Sequence, residues 1–227
     1  MKKLTFQVTN DVLNLGVKIL TAQISNVRNS KFNPDFEGYL KKELEEIKAF
    51  WNNKQYKEDL VLQGFRDLHS KVGRSNREYS ASPEVLLRLF LEKGRFPRIN
   101  TVVDIYNLIS LKTRLALGAH DISKVRGNIT LRLTKGDETF IPLGKSEPVK
   151  VPAGEYSYID DGNNIICRLE VLQVEPTKIT LESKDIFLIV QGNPNTNNDY
   201  IKRGLDEVLK LIVKFCGGEF ILLNSLA

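Results

Sequence analysis

The chain is poor in several residues on which familiar chemistries depend. Its 227 residues include two histidines, two cysteines, one methionine and one tryptophan. His69 and His120 cannot supply a three-histidine metal centre, and there is no HExxH. Cys167 and Cys216 stand 49 positions apart. That spacing excludes a CxxC metal or redox motif and fits two buried thiols in a reducing compartment. Neither a Walker loop nor GxGxxG is present. "DDGNN" at 160–164 is no calcium loop, since the twelfth position counted from Asp160 is Val171 rather than Glu. The expectation is therefore no cofactor and no metal. Apolar runs are short and broken by Arg88 and Lys210, so none approaches the roughly 20 residues of a spanning helix. No membrane partner is expected. "MKKLTFQVTN" has two lysines without an apolar stretch behind them, which is unlike a secretory signal, and the expected location is cytoplasmic.

A hydrophobic fraction of 41% with 27% charged residues suits a soluble globular protein. The net charge of +5 is uneven: residues 61–128 hold twelve basic and six acidic side chains, whereas residues 129–227 hold eleven and fourteen. A basic middle third favours an anionic partner. Lys71, Arg74, Arg77, Lys93, Arg95 and Arg98 are the candidate phosphate contacts, with an ordinary solvated helix surface as the competing reading.

"LTFQVTN" and "GVKILTAQISNV" alternate and carry β-branched residues, so they predict two strands. Asn33 and Pro34 open a helix with Phe36, Leu40, Leu44, Ile47 and Phe50-Trp51 on its apolar face. A second helix runs from about Tyr56 to Lys71, with Leu60, Leu62, Phe65 and Leu68 inward. His69 there reads as a partly exposed surface residue. Ser82-Pro83 opens a third, packing Val85, Leu86, Leu89 and Phe90, and Gly94 ends it. Asn100 caps a fourth, which fades near Thr113 and runs into a glycine turn at "GAHD". Beyond Asn128, "NITLRL", "ETFIPL", "EPVKVP", "EYSYID", "NIICRLE", "KITL" and "DIFLIVQG" read as short strands. "DDGNN" reads as a hairpin turn in which Asp-Gly takes positive φ. A helix from about Asp199 to Phe215, ended by Gly217-Gly218, and a strand "EFILLN" close the sequence. Helices grouped early and antiparallel strands grouped late indicate an α+β fold: one domain over 1–227 with a helical subregion over 30–95.

His120-Asp121 raises the question of a catalytic corner. From the residues alone it reads either as a base with its orienting carboxylate or as a bland chain segment, since adjacent side chains usually point apart.

"INTVVDIYNLISLKTRLALGAHDISKVRGNITLRLTKGDETFIPL" resembles the editing domain of the phenylalanyl-tRNA synthetase β-subunit. Val102-Val103-Asp104, Asn107, Asp121 and Arg132 match that domain's motif in order and spacing, as do "GEYSYIDDGNNIICRL" and the helix ending "FCGG". "SASPEVLLRLFLEKGRFPRINTVVDIYNLISL" looks closer still to the free-standing relatives of that domain, the B-three/B-four group, which lack the synthetase core. The resemblance covers roughly residues 60–220. It implies a three-layer fold in which an antiparallel β-sandwich of unusual topology is packed by helices.

The resemblance also implies tRNA chemistry: hydrolysis of a mischarged aminoacyl ester, in trans for a free-standing relative. Its partners would be tRNA or aminoacyl-tRNA. Such a second site is physically useful because binding alone discriminates weakly against an analogue that only adds a hydroxyl. The site residues carried over are His120 and Asn107 as catalytic candidates, with Tyr106, Ser110, Gly118, Asp121, Arg168 and Gln191 lining a substrate pocket. Two departures stand out. Gly118 occupies the position where the synthetase domain carries a histidine, and its paired glycines fall near Leu169-Glu170. The acid that binds the tyrosine hydroxyl has no clear match, Gln191 being the nearest polar residue. Two alternatives remain beside an editing hydrolase: a non-catalytic RNA-binding module, and a small-molecule or protein-binding domain that reuses the amino-acid pocket.

Overall fold

The computed structural model describes residues 4–225; the two lysines of the N-terminal segment lie outside them. Local signals set most helices. Asn33 accepts from the Phe36 amide and Pro34 begins α2 (Pro34–Phe50). Asp59 caps α3 (Leu60–Lys71) after a single 3-10 turn at Tyr56–Glu58, and Gly94 closes α4 (Ser82–Lys93) in the left-handed region. Asn100 caps α5 (Thr101–Thr113) through the Val103 amide at 3.1 Å. α6 (Asn198–Cys216) stops at Gly217 and Gly218, both with positive φ. A short α1 (Asn10–Asn14) separates β1 (Phe6–Val8) from β2 (Lys18–Ser25).

The remaining strands are β3 (Ala116–Asp121), β4 (Ile129–Leu133), β5 (Tyr156–Asp160), β6 (Ile165–Arg168), β7 (Leu172–Gln173), β8 (Ile186–Gly192) and β9 (Glu219–Leu222). They form two sheets, one ordered β1-β4-β5-β6-β7 and the other β3-β8-β2-β9. Every pair is antiparallel except β1 with β4, which is parallel, so the sandwich is mixed rather than wholly antiparallel. Strand alternation assigns the layers. On β8, Ile186, Leu188 and Val190 pack with α5 and α6, while Phe187 and Ile189 face the other sheet alongside Phe6, Ile129 and Tyr158. The result is helices on sheet on sheet, an α+β architecture with one apolar layer at each junction.

Several expectations change. "GAHD" is not a turn but part of β3, all of it buried, because it docks along β8. "ETFIPL" contributes only isolated bridges at Thr139 and Pro142, and "EPVKVP" and "KITL" form no strand. In the β5–β6 turn the positive φ falls on Asn163, not Gly162. Leu60 and Val85 face solvent, 72% and 40% exposed, because each lies on the outer face of its helix.

Candidate functional site

α5 is buried around almost its whole circumference. Only Asn107 and Lys112 escape full burial. Asn107 escapes because it faces a cavity of about 250 Å³. This cavity lies where the edge strands of the two sheets, β3 and β7, come opposite one another beside α5. Tyr106 and Asn107 border it from the helix, Gly118 from β3, Tyr158 and Gln173 from the other sheet, and Glu170 from the turn between β6 and β7. A Cβ on Gly118 would stand 2.8 Å from Nε2 of Gln173. The Gln173 amide therefore fills the space that a side chain at 118 would need.

The polar groups of the cavity divide into two sets. The part-exposed Asn107 and Gln173 side-chain amides and the buried Tyr106 hydroxyl have no hydrogen-bond partner among the described residues. Burial, and then the nearby Asp104 carboxylate, raise the Tyr106 hydroxyl above its ordinary range. The inner wall is the opposite case, a connected chain. Nε2 of His69 meets Oε1 of Glu170 at 2.6 Å, and its Nδ1 meets the Tyr79 carbonyl at 2.8 Å. A carbonyl can only accept, so Nδ1 carries a proton. The Tyr156 hydroxyl donates to Oε2 of Glu170, Nε2 of Gln191 approaches the same oxygen at 3.4 Å, and the Tyr158 hydroxyl donates to Oε1 of Gln191. Burial opposes charge on His69, but the Glu170 carboxylate and the Tyr79 carbonyl outweigh it and raise its pKa. His69 is therefore no surface residue; it is fully enclosed. Burial also raises the Cys167 thiol beside the cavity, leaving it protonated.

The sequence-derived candidates separate accordingly. Tyr106, Asn107 and Gly118 share the cavity. Gln191 stands behind Tyr158, within the inner chain. Ser110 donates to the Leu115 carbonyl at 2.8 Å and secures the α5–β3 connection. Asp121 accepts from Ser123 and from the Ser183 hydroxyl, ending β3. Arg168 does not join Asn107. Its neighbour Cys167 borders the cavity, so by strand alternation Arg168 points to the opposite face, where it pairs with Glu155 beside the Tyr79 and Phe140 rings.

His120 is corrected most. It shares a strand face with Gly118 yet is fully enclosed and does not border the cavity. Its Nδ1 meets the Thr177 hydroxyl at 2.9 Å, and Nε2 has no partner. Burial without a counter-charge lowers its pKa to about 3, so it is neutral near pH 7 and does not titrate there.

The basic segment divides too. Arg74 pairs with Glu155, Arg98 pairs with Glu37 and Asp104, and Lys71 donates to the Leu15 carbonyl. Arg77, Lys93 and Arg95 are exposed, and their side chains have no ion-pair partner among the described residues. Among those residues there is also no group of three or more His, Cys, Asp or Glu side chains placed to hold a metal ion. No helix among them is long and apolar enough to cross a membrane.

Comparison with known proteins places this geometry. The B3/4 domain family matches residues 65–217, which takes in His69, all of α5 and both sheets apart from β1, β2 and β9. The chain belongs to the B3/4 domain family. Among curated relatives, the phenylalanine–tRNA ligase beta subunit of Wolbachia sp. subsp. Brugia malayi is 28% identical over 173 residues, 66% of this chain and 22% of its own length. That of Methanococcus maripaludis is 30% identical over 122 residues, 45% of this chain and 21% of its own. The chain thus spans about a fifth of the length of these relatives. Among solved structures, an N-terminal fragment of the phenylalanyl-tRNA synthetase beta-subunit from Pyrococcus horikoshii superposes with a TM-score of 0.53 at 13% identity. The match covers 97% of this chain and 51% of the fragment. That likeness concerns the fold.

Sequence reasoning missed His69, Glu170 and Gln173. Two signals were available: Gly118, whose missing side chain leaves the space that Gln173 fills, and Glu170 at a position where the resemblance expects a glycine.

Proposed function

We propose that the chain binds the aminoacyl end of a tRNA in the cavity beside α5 and releases the amino acid by hydrolysis of its ester in trans. The observation that carries this reading is the convergence of Tyr106, Asn107 and Gly118 on one cavity where the Tyr106 hydroxyl and the Asn107 and Gln173 amides lack partners among the described residues. These are the positions that the family resemblance marks as the site. Such groups suit the carbonyl and amine of an aminoacyl ester, which a partnered surface would not. The ester is already activated, so a water held by the Asn107 amide and assisted by the neighbouring ribose hydroxyl of the substrate suffices without a strong nucleophile. His120 has no part in this step. Arg77, Lys93 and Arg95 are the cations free to meet phosphates.

A second reading has its own support. No side chain bordering the cavity is a histidine, and the one thiol there is held protonated. That favours a domain that binds aminoacyl-tRNA without cleaving it.

Incubating the full chain with a panel of aminoacyl-tRNAs separates the two. Hydrolysis predicts release above the spontaneous rate for at least one ester. Asn107→Ala should then slow it by roughly ten- to a hundredfold, as expected when one positioning group is lost. Retained tRNA binding with no accelerated release from any ester would leave the binding reading in place.

A further inference from the structure

The inner wall of the cavity is built from groups that could greet a polar ligand but are already engaged. Both carboxylate oxygens of Glu170 have donors, His69 on one and Tyr156 on the other. The amide oxygen of Gln191 accepts a hydrogen bond from the hydroxyl of Tyr158, which borders the cavity. Between these groups the wall is apolar, with Val103, Ala116 and Ile189. Glu170, Tyr158 and Ile189 are buried, whereas Asn107 and Gln173 are part-exposed. The outer rim of the cavity thus combines the unengaged Asn107 and Gln173 amides with the exposed apolar side chains of Ile99 and Leu143, while each acceptor of the inner wall already holds an internal donor.

We propose that the cavity takes an aminoacyl group with an apolar side chain and rejects one ending in a hydroxyl, because Tyr156 and Tyr158 occupy the acceptors that a ligand hydroxyl would need. This rests on the aminoacyl-binding reading above and specifies its substrate class. The ligand's carbonyl and amine lie towards Asn107 and Gln173, and its side chain points inward against Ile189 and Tyr158. A phenol or alcohol reaching the wall must displace an internal donor or share an acceptor that already holds one, away from water. Both outcomes weaken binding. Gly118 belongs to the same device, since the space above it is reserved for Gln173.

The test uses the full chain and non-hydrolysable 3′-aminoacylamino-adenosines carrying phenylalanine, leucine or tyrosine, with affinity measured by calorimetry. The phenylalanine and leucine compounds should bind at least about tenfold more tightly than the tyrosine one, the size of one lost hydrogen bond. Tyr158→Phe frees the Gln191 acceptor and a hydroxyl-sized space. It should raise the tyrosine-to-phenylalanine affinity ratio about tenfold. Tyr156→Phe, which frees Oε2 of Glu170, should shift the ratio the same way. Near-UV circular dichroism reports whether each variant is folded, and the wild-type comparison stands even if neither is. Wild-type protein that binds the tyrosine compound as tightly as the phenylalanine one overturns this specificity alone. Unchanged ratios in both folded variants overturn the role of the two tyrosines. Absence of binding to all three compounds overturns the aminoacyl reading itself.

Discussion

His69 on α3 and His120 on β3 are both fully enclosed, yet their pKa values move in opposite directions, up for His69 and down for His120. Around His69 every contact on the ring is an acceptor: the Glu170 carboxylate on one nitrogen and the Tyr79 carbonyl on the other. Around His120 there is one hydroxyl and no charge. The difference teaches that desolvation is common to both sites and that the neighbour decides the sign. A carboxylate offsets the cost of the cation, and a threonine does not.

The largest expected effect comes from acid. His120 has a folded pKa of about 3, below its ordinary value of 6.5. The unfolded chain binds this proton as pH falls through 6.5, while the folded chain does not until about 3. Stability should therefore be full above 6.5 and decline below it, by up to about 5 kcal/mol. Carboxylates add their own acid dependence, so the decisive quantity is the difference between wild type and His120→Leu in urea unfolding at pH 7, 5 and 4. If that difference does not change with pH, His120 is not held neutral.

Next is the cation. His69→Ala strips Glu170 of its counter-charge and should cost about 3–5 kcal/mol, with part recovered by adding Glu170→Gln. The sign with pH is opposite to that of His120. A raised folded pKa gives stability that is present below 6.5 and lost as pH rises through the folded value. A loss under about 1 kcal/mol, or no recovery in the double variant, would argue against a charged pair.

The smallest effect sharpens the contrast. Thr177→Val leaves both His120 nitrogens without a partner but removes no charge. It should cost about 1 kcal/mol and leave the acid dependence intact. A cost as large as that of His69→Ala would mean that Thr177 does more than accept or donate one neutral bond.

The two histidines also mark what the sequence disclosed. The caps at Asn33, Asn100 and Gly94 act within one turn of themselves, so the helices they bound were legible. Asn107, singled out by its spacing from Asp104 and the family resemblance, borders the cavity. Burial is different, because it depends on what arrives from elsewhere. Glu170 lies 101 residues beyond His69, and nothing beside His69 in the chain foretells a carboxylate. His120 was misjudged for the same reason: its neighbour Asp121 turns away to cap the next turn, and Phe187 pairs across from it on β8. The irregular stretch over 138–152 looked like strands because its residues alternate. Only two isolated bridges in that region formed, because β5 and β6 already complete the sheet there.

β8 lies between β2 and β3 and has both faces covered, with all seven of its residues buried. Its backbone amides cannot meet deuterium through fraying at an edge or the lifting of one helix, because each route leaves the other cover in place. Their exchange is governed by opening of the whole structure. A single peptide spanning Ile186–Gly192 thus serves as an internal clock for global unfolding. Labelling changes confined to Tyr106, Asn107 and Gln173 can be read against it as local events at the cavity.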